Sequence, residues 1–139
     1  MEHLPFETCE LAEAPTVTAP DGALVRVLAG LPGAASFAQF ELAPGAVSHP
    51  VSHATVQEIW YVAEGSGQLW RRQDGRESSI PLRPGTSASI PLGTAFQFRA
   101  DGVGTGPLRI VAVTVPPWPN SPDEARPEDG PWTPTVPAG

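Results

Sequence analysis

Short runs of alternating apolar and polar residues, each closed by a glycine or proline turn, recur along most of the chain. Ser36–Leu42 alternates cleanly, with Ala38, Phe40 and Leu42 on one face and Phe37, Gln39 and Glu41 on the other, the pattern of a half-buried strand. Glu58–Ala63 is the strongest strand signal, rich in Ile, Trp, Tyr and Val. Further strands are predicted at Ala23–Leu28, Gln68–Arg72, Ser78–Leu82, Thr86–Ile90, Ala95–Arg99 and Pro107–Val115, with weaker signals at Phe6–Leu11 and Pro15–Val17. Asp21-Gly22, Pro44-Gly45, Asp74-Gly75 and Pro84-Gly85 supply turns between them. No stretch is convincingly helical. Evenly spaced short strands of this kind predict an all-β domain, an antiparallel β-barrel or jelly roll, because closure removes exposed sheet edges.

Composition sharpens the boundaries. At 139 residues the chain reads as one domain with a real core. Eight of its 18 prolines fall between Pro116 and Pro137, which divides it into a barrel over 1–115 and a Pro-rich acidic tail over 116–139. That tail is expected to form no strand or helix. Its Trp118 and Trp132 are costly to leave in water, so at least one is expected to dock on the barrel or a neighbouring subunit. Asp123, Glu124, Glu128 and Asp129 read as a solubilising acidic face.

Charge and residue usage exclude several functions. A net charge of −7 argues against nucleic acid, and all eight basic residues are arginine. Without lysine there is neither Schiff-base chemistry nor a Walker-type phosphate loop. Cys9, the lone cysteine, forms no internal disulfide and reads as a small buried hydrophobe. No apolar run is long enough to span a membrane, and the acidic N-terminus lacks the features of a signal peptide, so a cytoplasmic location is expected.

Chemistry concentrates between Pro44 and Gly65, which holds His49 and His53 and places Glu58 inside an apolar strand. Burying such groups costs free energy unless the site uses them. The glycines and polar residues here resemble the two signature motifs of the cupin superfamily. Gly45, His53, Glu58 and Gly65 fall on the first motif; Gly85, Pro91 and Gly93 fall on the second. The resemblance implies a cupin-type barrel with motif 1 at 45–65, motif 2 at 85–100 and a site in the barrel mouth. It also implies a homodimer, since similar small cupins pair through barrel edges.

Departures from those motifs leave three readings open. Val51 stands where the first motif has a histidine, and Phe96 and Ala100 replace the histidine and asparagine of the second. Of the superfamily's metal positions only His53 and Glu58 keep a ligand. A divalent metal (Zn, Fe, Mn or Ni) then needs His49 as a third ligand beside His53 and Glu58. Four extended residues separate the two histidines by roughly 13 Å, too far for one ion unless Pro50 bends the strand. Without metal, His53 and Glu58 form an acid–base pair in a pocket walled by Val51, Trp60, Val62, Phe96 and Phe98, suited to isomerisation, epimerisation, cyclisation or lyase chemistry on a small molecule. The third reading is a buried pair without chemistry, in a small-ligand-binding module such as a sensor or carrier.

Overall fold

A computed structural model describes residues 3–102, 104 and 106–139. Among them, β1 (Thr16–Thr18), β2 (Leu24–Val27), β3 (Ser36–Leu42), β4 (Val51–His53), β5 (Gln57–Glu64), β6 (Gly67–Gln73), β7 (Arg76–Leu82), β8 (Ser87–Ile90), β9 (Ala95–Ala100), β10 (Leu108–Val115) and β11 (Ala125–Pro127) form two antiparallel sheets. One sheet has the order β1-β2-β3-β10-β5-β8 and the other β11-β4-β9-β6-β7. The result is an all-β jelly-roll barrel. None of the described helices is long and apolar enough to cross a membrane.

Alternation decides which side chains enter the space between the sheets. Along β5, Glu58, Trp60 and Val62 are buried while Gln57, Ile59 and Tyr61 face outward. β10 buries Leu108, Ile110, Ala112 and Thr114 in the same rhythm. These meet Leu69, Phe96 and Phe98 of the opposite sheet, and Trp60 stands edge-on to both phenylalanines at ring separations of 5.6 and 5.0 Å. Edge-to-face packing of this kind suits the charge distribution of aromatic rings. At Gly65 the chain has φ of +78° and passes so close to Pro107 that any Cβ would collide with its carbonyl. That fixes how β5 turns into β6.

The tail departs from the sequence expectation. Ala125–Pro127 forms a true strand, pairing Ala125 with His53, Arg126 with Ser52 and Pro127 with Val51. Because this is an edge position, Pro127 is tolerated at the strand's end. Further on, Trp132 lies under the Arg99 guanidinium, 4.2 Å from ring centroid to Cζ, and its backbone N–H and C=O both bond the Gln97 amide. This layer explains why β9 is buried on both faces.

Two further expectations need correcting. Phe6–Leu11 is not a strand: the segment leads into a 3₁₀ turn at Leu11–Glu13, with Phe6 and Cys9 exposed. Glu124 is not a solvated tail charge. It is 2% exposed and accepts bonds from the Thr55 and Val56 N–H groups at 2.9 and 3.2 Å and from the Thr55 hydroxyl. Burial opposes its ionisation, but these donors hold the carboxyl below its usual range. Asp123 and Asp129 are exposed, whereas Glu128 is half-buried and bonds Ser52 and Arg72.

Glu124→Ala leaves those buried donors unpaired and should destabilise the fold by about 2–4 kcal/mol. Equilibrium urea unfolding should show a lower midpoint with an unchanged slope; an unchanged midpoint would contradict a stabilising role for the Glu124 clamp.

Candidate functional site

Two local features set the geometry. Glu58 sits on β5 in a row of inward positions running Ser36, Thr114, Glu58 and Ile90 across the sheet. His53 ends β4 in the opposite sheet, and the loop at 54–56 between them is the one held by Glu124. The pair therefore meets across the barrel interior, not between adjacent strands of one sheet. His53 Nδ1 lies 3.3 Å from Glu58 Oε2, with side-chain exposures of 7% and 3%. That nitrogen has no aligned hydrogen-bond partner. The His53 ring is also held edge-on against Phe96 and Trp118, with centroids 5.3 and 5.2 Å apart.

Both groups border a cavity of about 500 Å³ whose wall is mostly apolar. Of the five residues expected to wall the pocket, Val51 and Phe96 line this cavity, whereas Trp60, Val62 and Phe98 stand in the packed core behind. Phe40, Val25 and Val27 complete the barrel wall, and Trp118, Asn120 and Ala125 bring the tail into it. Asp21 also borders the cavity, buried, with its Oδ1 accepting the Ala23 N–H at 3.0 Å. The sequence marks Asp21 only as a turn residue beside Gly22. Its role as a wall residue has no local signature, because the tail that buries this corner comes from the other end of the chain.

Desolvation dominates the electrostatics. Burial pushes the Glu58 carboxyl up to about 8; nearby Asp21 adds to the rise, and the Trp60 indole N–H, facing the carboxyl without full hydrogen-bond alignment, offsets part of it. Burial lowers His53 to about 4 against the opposing pull of Glu124. Burial also raises Asp21 to about 6, partly countered by the Ala23 N–H and by His49. At neutral pH the pair is thus a protonated acid beside a neutral imidazole.

A three-ligand metal centre does not fit these residues. His49 lies outside the cavity wall, and its Nε2 sits 2.6 Å from the Val136 carbonyl of the tail. Val51 and Phe96, at the other motif positions, offer no donor. Among the described residues no group of three His, Cys, Asp or Glu side chains is arranged to hold an ion. Two of the strand arginines are engaged away from the pair: Arg71 with the Ser89 carbonyl, and Arg109 between Glu41 and Glu64.

The shifts have a stability signature. Between pH 4.5 and about 8 the folded state keeps a proton on Glu58 that the unfolded chain releases, so stability falls as pH rises through that window. Asp21 acts in the same sense but is spent by about pH 6. His53 acts oppositely, losing stability as pH falls from 6.5 towards 4. From pH 6.5 to 8 the Glu58 effect therefore dominates among these three. The thermal midpoint should fall across that interval, and Glu58→Gln should flatten it; a wild-type midpoint that stays level would contradict the buried acid.

Comparison with known proteins agrees with this architecture. A family model described as "Cupin domain" matches residues 38–114. No curated protein matches significantly in sequence. KdgF from Halomonas sp. superposes with a TM-score of 0.68 at 17% identity, covering 84% of this chain and 98% of its own. Streptomyces Pac13, a nucleoside dehydratase, superposes at 0.67 with 12% identity over 90% of this chain and 92% of its own. Oxalate decarboxylase from Bacillus subtilis reaches 0.72 at 16% identity, covering 91% of this chain and 33% of that one. These likenesses are of fold; combined with the family match over most of the barrel, they show that the chain belongs to the cupin family.

Proposed function

We propose that the chain is a small-molecule enzyme that uses His53 and Glu58 for proton transfer in the barrel cavity. The observation that supports this most is the pair itself: an imidazole and a carboxyl 3.3 Å apart, buried together on the wall of one cavity. Their environments push them into complementary states, a protonated acid and a neutral base, which is how acid and base roles are assigned at one pH.

The chemistry closes as a cycle. His53 takes the proton from a carbon beside a carbonyl while Glu58 gives its proton to an oxygen of the substrate. Where that oxygen is the carbonyl, an enol forms, and returning a proton at another carbon, or on the other face, completes an isomerisation or epimerisation. Where it is a β-hydroxyl, the C–O bond breaks, water leaves and a conjugated double bond remains. Either way the protein is left as imidazolium beside carboxylate. In elimination, direct proton transfer across the 3.3 Å gap restores the starting pair; in isomerisation, the imidazolium gives its proton to the new carbon position and the enol oxygen returns its proton to Glu58. The occurrence of a nucleoside dehydratase among the fold neighbours is in keeping with the elimination branch.

The test is solvent deuterium exchange at the carbon beside the carbonyl, read by NMR over a panel of small ketones and β-hydroxyketones in D₂O. Wild-type protein should catalyse exchange or elimination of at least one compound, and Glu58→Gln and His53→Gln should each lower the rate by about 10²–10⁴-fold. A panel that stays inert, with ligands bound unchanged, would favour a binding module and defeat this reading.

A further inference from the structure

The cavity has an imbalance that the proton-transfer pair does not explain. Two carboxyl residues, Asp21 and Glu58, border it and both are buried. No arginine is among the residues that line it, and the chain has no lysine. Arg72, Arg99 and Arg109 are bound elsewhere, to Glu128, to Gln68 with Trp132, and to Glu41 with Glu64. Among the described residues His53 is the one basic side chain on the wall; it is over nine-tenths buried, and its Nδ1 lacks an aligned hydrogen-bond partner. Phe37, Phe40, Phe96 and Trp118 line the same cavity.

An anion entering such a space loses its hydration and meets the Asp21 carboxylate with no fixed cation. In a low-dielectric cavity that repulsion is stronger than in water. An uncharged molecule suffers neither cost. Its ring or branched body buries the aromatic wall, and one oxygen function can meet the unpartnered His53 nitrogen and the Glu58 carboxyl.

We infer that the cavity takes an uncharged small molecule with an apolar body and a hydroxyl or carbonyl oxygen, and that Asp21 is the specificity residue that turns anions away. Placement of the oxygen rests on the proposed role of His53 and Glu58; the charge preference rests on the lining alone. Asp21 is suited to this task because its backbone is pinned. Its carbonyl accepts the His49 N–H at 2.8 Å, and its side chain accepts the Ala23 N–H, so the carboxyl cannot swing out to solvent without breaking a local bond.

Three matched probes test the inference on the full chain at neutral pH: benzyl alcohol, benzoate and benzylamine, with binding read by ligand-observed NMR. The alcohol should bind at least about tenfold more tightly than either charged probe, a gap of roughly 1.4 kcal/mol. Asp21→Asn, checked for folding by its thermal midpoint, should tighten benzoate several-fold with a smaller change for the alcohol. Benzoate binding as tightly as the alcohol, benzylamine binding best, or none of the three binding at millimolar concentration would each overturn it. So would a folded Asp21→Asn that leaves the gap unchanged. Should that variant not fold, the three wild-type affinities decide the matter. Because binding is read without turnover, an inert result in the deuterium-exchange assay leaves this outcome separately legible.

Discussion

Ionisable groups enter an apolar cavity only on terms set by desolvation, and most of this structure follows from how those terms are met. Glu58 sits among Trp60, Thr114 and Ile90, with no cation to stabilise its charge, so it keeps its proton. His53 faces the same medium with the opposite preference and loses its proton. The two arrive at one net-neutral state by the same physical route. Neither needs a metal to be tolerable, and the replacement of motif histidines by Val51 and Phe96 makes the surroundings drier, which strengthens the effect.

That dryness is not the work of the barrel alone. Trp118 leans on the His53 ring, β11 adds a strand beside β4, and Glu124 holds the turn that separates His53 from Glu58. His49, which a metal site would need as an off-motif third ligand, instead holds the tail through the Val136 carbonyl. The same segment also supplies Asn120 and Ala125 to the cavity wall. Barrel and tail thus enclose one cavity, with the barrel providing the His53–Glu58 pair and the tail covering it.

How much of this is legible in the sequence depends on range. Alternation along Ser36–Leu42 and Glu58–Ala63, and the spaced Gly45, Gly65, Gly85 and Gly93, identify strands, turns and the motif positions, because those signals are local. His53 and Glu58 stand out for the same reason. Asp21 and Glu124 do not. Each looks like an ordinary turn or surface carboxylate, and each is buried by residues that lie far away in sequence: Val136 packs against Gly22, and Thr55 with Val56 donate to Glu124. Phe6–Leu11 misleads in the other direction. Its composition resembles a strand, but it finds no partner edge, and without pairing a β-rich run stays irregular.

The pairing of β4 with β11 joins His53 to Ala125, residues about 70 positions apart, through only three register pairs. Contacts of such long range must overcome the entropy of closing a large loop before they return any favourable energy. The β5–β10, β6–β7 and β6–β9 ladders are longer and are built without the tail. Until the tail docks, His53 and Glu58 lack the cover of Trp118 and β11 and are still wet. In that stage the carboxyl has its ordinary acidity and the imidazole its ordinary basicity. The unusual acid–base character of the pair is thus completed by the tail, as water leaves.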